Sequence, residues 1–166
     1  MLALLTVMLT IATPSLRRFY ATQRTQDAAA HMLAVCQQAR TRAIAEARVY
    51  RLHIDVETGR YWLTADDDAG QPQRVATELG RTFTVDRQVT IAWDAPGASG
   101  GLAATAFDTE PAVTFYPDGR QEPVQVTFTD TRGTRIAMVC QSPGDMLRLG
   151  PPREDFVAPS VEVMHE

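Results

Sequence analysis

The pattern of hydrophobic and polar positions divides the chain into an N-terminal helical part and a C-terminal part built from strands. Residues 1–13 carry no charged side chain. Between residues 28 and 47, apolar residues recur every three or four positions, which predicts a helix with one apolar stripe. The predicted stripe consists of Ala28, Ala29, Met32, Leu33, Cys36, Ala39, Ala43, Ile44 and Ala47. We expect one long helix over residues 1–47, kinked or broken at Pro14, with its stripe packed on the core.

Three interpretations compete for the uncharged run. Thirteen helical residues reach only about 20 Å, against the ~30 Å hydrocarbon core of a bilayer. A secretory signal peptide would need a basic start and a small-residue cleavage site, and residues 11–14 match that site poorly. A buried core helix would normally contain polar residues stronger than Thr. The pattern therefore favours a transmembrane helix of which this chain carries only the later part.

From residue 49 the hydrophobic period changes to two, which predicts β-strands. The predicted strands span residues 50–56, 61–63, 82–85, 89–93, 113–116, 124–129, 136–140 and 146–149. Gly59 suits a hairpin turn between the first two strands, and residues 117–120 suit a type I turn that returns residues 113–116 into residues 124–129. The prediction is an α+β fold with an antiparallel meander, a long loop over residues 94–110 and a fraying tail after residue 150.

Composition indicates one ordinary globular domain. The chain has 166 residues, of which 45% are hydrophobic and 22% charged. All 16 basic residues are Arg, and the net charge is -4. An acidic balance argues against a protein whose main role is to wrap nucleic acid, although a local Arg cluster is compatible with it.

The sequence predicts no catalytic residue, no cofactor and no metal site. His31, His53 and His165 are isolated from one another and from catalytic motifs, and His31 and His53 are expected to be exposed. Ser99 lies in the long loop outside any nucleophile motif. Asp66, Asp67 and Asp68 resemble part of a calcium loop, but the remaining ligands are missing, so a solvated loop is favoured.

Two cysteines could meet in the core. Cys36 lies on the helix stripe and Cys140 on the last strongly apolar strand. They could form a disulfide in an oxidising compartment if their Cα atoms lie within about 7 Å of each other. Two buried free thiols are the favoured alternative.

Several short motifs resemble one family. The apolar run, Pro14, and the basic and aromatic residues 17–20 are followed directly by an amphipathic helix, as in type IV pilin-like proteins. The later motifs are similar to those of the GspH/FimT group of pseudopilins, and they consist of Ala39-Arg40-x-x-Ala43-Ile44, Thr58-Gly59-x-x-Trp62 and Phe115-Tyr116-Pro117-Asp118-Gly119-Arg120. The family's cleavage motif, a Gly followed by Phe-Thr-Leu-x-Glu, is not present, so no cleavage or methylation residue can be assigned.

The resemblance implies a long N-terminal helix packed on a β-rich antiparallel head of two sheets. It divides the chain into a membrane-inserted part (1–13), a stalk helix (14–48), a head (49–150) and a flexible tail (151–166). The implied protein is a minor pseudopilin of the type II secretion system, anchored once in the inner membrane with its head in the periplasm. Its implied partners are other pseudopilins, inner-membrane components of the secretion system and, given an upstream leader, a prepilin peptidase.

The resemblance also leaves a second function open, that of a FimT-like minor type IV pilin in pilus assembly or DNA uptake. DNA capture requires several Arg residues on one surface, typically near the last strand. Here that region holds Arg148 and Arg153, followed by four acidic residues, namely Glu154, Asp155, Glu162 and Glu166. The charge pattern favours secretion over DNA uptake and argues against nucleic acid as a partner.

Overall fold

A computed structural model describes residues 2–94 and 111–153. A single long helix, α1 (Leu2–Glu46), begins the chain and is not broken at Pro14, in contrast to the break that the sequence allowed. Ala47, with a φ of 53°, ends the helix in the left-handed region. The Arg48 backbone N–H then donates to the Ala43 carbonyl at 3.2 Å, which is the bond of a Schellman C-cap.

One face of α1 is buried against the rest of the protein. Its buried apolar residues are Ala29, Met32, Val35, Cys36, Ala39 and Ala43. Four of these are Ala or Cys, so the helix backbone can approach the sheets closely. The prediction was wrong for Ile44, which is 52% exposed because it lies about 100° around the helix from Ala43. It was also wrong for Ala47, which is exposed because it lies just after the end of the helix.

The strands form two antiparallel sheets, as the resemblance implied. The strands are β1 (Tyr50–Asp55), β2 (Arg60–Asp66), β3 (Pro72–Arg74), β4 (Phe83–Thr84), β5 (Val89–Asp94), β6 (Ala112–Phe115), β7 (Val124–Asp130), β8 (Arg135–Cys140) and β9 (Arg148–Gly150). The first sheet has the order β3-β2-β1-β6, with β4 also paired to β2. The second sheet has the order β5-β7-β8-β9. A short 3₁₀ helix, Glu78–Gly80, lies between β3 and β4.

The predicted hairpin between β6 and β7 is wrong. The turn itself exists, since the Gly119 N–H donates to the Tyr116 carbonyl at 3.0 Å. However, β6 pairs with β1 in the first sheet, whereas β7 pairs with β5 and β8 in the second. The chain folds back on itself only next to the turn, where Phe115 forms an antiparallel bridge with Gln121, and then crosses to the second sheet.

The core lies between α1 and the inner faces of both sheets. Its largest fully buried side chains include Tyr50, Phe115, Phe128, Met32 and Leu52. Because helix and both sheets contribute, neither sheet has a separate apolar core.

Beyond β9 the described chain is held on the second sheet. The side-chain amide of Gln125 donates to the Arg153 carbonyl and accepts from the Arg153 N–H, both at 3.1 Å. The predicted long loop falls mainly on residues 95–110 and the predicted tail mainly on residues 154–166, which lie outside the described residues. Across the described stretches, no helix combines the length and the apolar character needed to cross a membrane.

Candidate assembly surface

The exposed face of α1 borders an open groove. One wall of the groove is the helix, and the other is the segment between β3 and β4. The groove has a volume of about 710 Å³ and is lined by Ala34, Gln37, Gln38, Thr41, Arg42, Thr77, Glu78 and Leu79. Its lining combines amides, hydroxyls and two charged groups of opposite sign. Such a surface can make hydrogen bonds to another chain.

The second wall of this groove is fixed by close backbone packing. Gly80 is buried, and a Cβ placed on it would lie 1.8 Å from the Val75 carbonyl oxygen. Only glycine allows the chain to approach itself this closely. The shape of this wall therefore depends on Gly80, which has no side chain to contribute to the groove.

A smaller groove lies nearer the N-terminal end of the packed helix. His31 Nδ1 and the Tyr61 hydroxyl lie 2.6 Å apart, and the Tyr61 and Phe83 rings stack with centroids 5.2 Å apart. The Arg81 guanidinium lies 4.7 Å from the centre of the Phe83 ring. Burial raises the pKa of Tyr61, so the hydroxyl stays protonated. His31 is exposed as predicted, and its ring joins the helix to the edge of the first sheet.

The C-terminal end of α1 packs against the turn between β6 and β7. The Ile44 Cδ1 atom lies 3.3 Å, and Arg40 Nη2 3.9 Å, from the position that a Cβ on Gly119 would occupy. Next to this turn, the Gln121 side chain donates to the Asp145 carbonyl at 2.8 Å. The helix end, the turn and the loop before β9 therefore form one continuous surface, which we call the helix-end surface.

The prediction that His53 is exposed was wrong. His53 is only 5% exposed, its Nε2 lies 2.9 Å from the Thr64 hydroxyl, and its ring stacks on Trp62 at 5.6 Å. Its place opposite Trp62 on β1 and β2 explains the burial, because two flat rings cover each other across the strand pair. The residues that contact His31 and His53, Tyr61 and Trp62, are consecutive in β2 and so face opposite sides of the first sheet, which keeps the two histidines out of one site.

The three consecutive aspartates bind different partners within the protein. Asp66 forms an ion pair with Arg51, and Asp68 forms one with Arg48 at 2.6 Å. Asp67 accepts the Gln71 and Ala69 backbone N–H groups at 2.9 Å, and these hydrogen bonds lower the pKa of its carboxyl. Within residues 2–94 and 111–153, no group of three His, Cys, Asp or Glu side chains could hold a metal ion.

Both cysteines are buried as free thiols. The Cys140 thiol lies 3.2 Å from the Ser142 carbonyl oxygen and 3.9 Å from the Asp145 carbonyl oxygen. Burial raises the pKa of the Cys36 and Cys140 thiols. The disulfide that the sequence allowed stays a prediction. The other two candidates, Ser99 and His165, lie outside the described residues.

One residue of the helix-end surface was missed by sequence reasoning. Arg40 is partly buried, and its Nη1 atom is buried with no hydrogen-bond partner. The only sequence signal was its place in the Ala39-Arg40-x-x-Ala43-Ile44 motif, which gives no indication of an unpaired guanidinium.

Comparison with known protein families identifies relatives of this chain. The family model described as type II transport protein GspH matches residues 28–144, which is most of the chain. This chain belongs to the GspH family. The match covers the buried apolar residues of α1, from Ala29 to Ala43, and eight of the nine strands in the described residues, and it confirms the resemblance that the sequence motifs carried.

Solved structures show the same fold as this GspH-family chain. Two structures of the minor pseudopilin EpsH from the type II secretion system of Vibrio cholerae each align with a TM-score of 0.62. One is 16% identical and covers 79% of this chain and 99% of its own, and the other is 18% identical and covers 80% and 98%. At these identities the likeness establishes the fold. A comparison with curated protein sequences gave no match.

Proposed function

We propose that this GspH-family chain is a minor pseudopilin, a structural subunit of the type II secretion fibre that assists protein export across the outer membrane. The family match over residues 28–144 carries the proposal. The proposed partners are other pseudopilins and inner-membrane components of the secretion system. The assembly role follows from one helix that extends beyond the head and from an outer surface suited to protein contacts.

The same proposal assigns a place to each part of the chain. Residues 1–13 lie in the inner membrane, supported by the absence of charge over that run. The rest of α1 connects this anchor to a head in the periplasm. The side chains that hold the helix on the head run from Thr25 to Ala43, so the head can be carried as a rigid unit.

We further propose that the chain acts without catalysis. The two described histidines serve packing roles, since His31 contacts Tyr61 and His53 contacts Thr64 and Trp62. Each of these contacts stabilises the head without needing a substrate.

Deletion and complementation in the bacterium that carries the gene tests this function. We expect deletion to reduce the amount of a secreted enzyme in the culture medium, with that enzyme accumulating in the periplasm, and a plasmid copy to restore export. Uptake of labelled DNA is measured in parallel. Normal export combined with lost DNA uptake would contradict the secretion role and favour the FimT-like alternative.

A further inference from the structure

The helix-end surface contains a charge without a partner. Arg40 is partly buried, and no Asp or Glu of the described residues forms an ion pair with it. Its Nη1 atom is buried and has no hydrogen-bond acceptor among those residues. Arg51, which is also partly buried, shows the usual arrangement, since it forms a two-pronged ion pair with Asp66. Leaving a buried charged donor without an acceptor destabilises a folded protein, so Arg40 is not explained by the stability of the isolated subunit.

Exposed apolar side chains flank the Arg40 region. Ile44, one helical turn further on, is 52% exposed, and Met146 is 53% exposed. Met146 follows Asp145, whose carbonyl oxygen accepts a hydrogen bond from Gln121 at 2.8 Å, just after the turn whose Gly119 lies beside Arg40. Within residues 23–94 and 111–153, the exposed large hydrophobic residues are Ile44, Met146 and Leu149. An arginine without an ion-pair partner, with exposed apolar side chains around it, is typical of the centre of a protein interface.

We propose that the helix-end surface binds a neighbouring fibre subunit that presents an Asp or Glu side chain flanked by apolar residues. This inference rests on the proposed function, and it adds the chemistry of one contact. The incoming carboxylate pairs with the guanidinium of Arg40 in the bidentate geometry that arginine favours, while the flanking residues cover Ile44 and Met146. On binding, the guanidinium of Arg40 moves outward, and its Nη1 atom then donates to a carboxylate oxygen of the partner.

A protein carboxylate fits this surface better than a nucleic-acid phosphate. Phosphate binding uses several Arg or Lys side chains on one surface, whereas the turn at residues 116–120 and the loop at residues 141–147 contain one basic residue, Arg120. Arg120, the nearest cation on that turn, already pairs with Asp118. The local charge therefore suits one carboxylate, not a polyanion.

Photo-cross-linking of the full chain in cells tests the proposal. The cross-linking residue p-benzoylphenylalanine replaces Met146, in chains that carry Arg40, Arg40→Gln, or the control change Arg87→Gln. Arg87 is a suitable control because it is exposed and lies between β4 and β5, outside both the groove and the helix-end surface. We expect a cross-link to another subunit of the secretion system whose yield falls at least about fivefold with Arg40→Gln and is unchanged with Arg87→Gln.

Two further measurements separate binding from folding and identify the partner group. Because Arg40 is unsatisfied in the free subunit, Arg40→Met should leave the thermal unfolding midpoint of the purified protein unchanged or raise it. Mass spectrometry of the cross-linked peptide should locate an Asp or Glu within a few residues of the attachment point. Changing that residue to Arg should abolish the cross-link, and combining it with Arg40→Glu should restore it.

The outcomes distinguish this inference from the proposed function. An unchanged cross-link with Arg40→Gln, a large loss of stability with Arg40→Met, or a failure of the charge exchange to restore binding would each overturn the assignment of Arg40. A gel shift of labelled DNA that disappears with Arg40→Gln would overturn it in favour of phosphate. None of these results alters the export defect expected of the deletion strain, which tests the function itself.

Discussion

Cys36 and Cys140 enter the same core from different elements, one from α1 and one from the last position of β8. Both are buried as free thiols, and burial raises the pKa of each thiol. Because a thiolate is the reactive form, we expect neither cysteine to react with iodoacetamide in the folded protein near neutral pH. In guanidinium chloride without reductant, both should become labelled, as counted by mass spectrometry. Labelling only after reduction would show instead that the two cysteines form a disulfide.

The two described histidines show what sequence can and cannot predict for single residues. Alternation along β1 placed His53 on the polar face, and that placement led to the wrong prediction of exposure. The burial of His53 depends on Trp62, its direct neighbour across the strand pair, and strand register is not visible in a one-dimensional pattern. His31 was predicted correctly because its exposure depends only on helical periodicity. The unpaired guanidinium of Arg40 has no sequence signal at all.

Among the elements, the short segment between β3 and β4 depends on Gly80. An Ala at this position would place its Cβ 1.8 Å from the Val75 carbonyl oxygen, so the backbone must shift. We expect Gly80→Ala to lower the free energy of unfolding by about 1–3 kcal/mol, as overpacking of a closely packed site does. Gly144→Ala is the control, since a Cβ there would have no neighbour within 4 Å. Chemical denaturation of the three proteins measures the difference, and equal losses in both variants would contradict this account of Gly80.

The strands themselves were largely predictable, but their partners were not. The period-two pattern located most of the strands, because an alternating strand needs only one buried face. The pattern missed β3, whose three residues Pro72–Arg74 are all exposed and thus have no hydrophobic alternation. It also joined β6 to β7, because a good turn sequence predicts a reversal of the chain but does not determine which sheet the next strand enters. That choice is made by the contacts of β7 with β5 and β8.

For the molecule as a whole, carboxylates in the turns make the stability of the fold depend on pH in the acidic range. Asp55 accepts hydrogen bonds from Thr58, Asp67 from Gln71, and Asp118 from Arg120, and these bonds lower the pKa of each carboxyl. A carboxyl with a lowered folded-state pKa stabilises the fold above its ordinary pKa of about 3.9, and this stabilisation is lost as pH falls through the lower value.

We therefore expect the thermal unfolding midpoint to be flat between about pH 5 and 7 and to fall below about pH 4. A triple Asn variant at these three turn positions should be less stable than the parent at pH 7. The difference between the two proteins should shrink as the pH falls below about 4, because the parent carboxyls become protonated. Calorimetry across this range measures both profiles, and a constant difference at every pH would exclude the carboxylate charge as the cause.

The general architecture was predicted from two sources, the hydrophobic pattern and the resemblance to the GspH/FimT group. The apolar stripe predicted that α1 packs on a core, and the ordered short motifs implied two sheets under a long helix. Physical pattern alone could not establish the two-sheet arrangement, since β6 and β7 have similar alternation yet belong to different sheets. The interaction chemistry of the helix-end surface depends on the packing of three separate segments, which only the three-dimensional structure reveals.

The same architecture predicts which part of the helix the head requires. Side chains of α1 from Thr25 to Ala43 are buried between the helix and both sheets, so without them the inner faces of the sheets would be exposed to water. We expect a chain of residues 24–166 to unfold in one cooperative transition and a chain of residues 48–166 to show none, as measured by circular dichroism during heating. Met32→Ala in the longer chain should lower its free energy of unfolding by about 2–5 kcal/mol, because Met32 is fully buried, whereas exposed Gln38→Ala should have little effect. Cooperative unfolding of residues 48–166 would show that the head is stable without the helix, and the buried stripe would then have to serve assembly instead of folding.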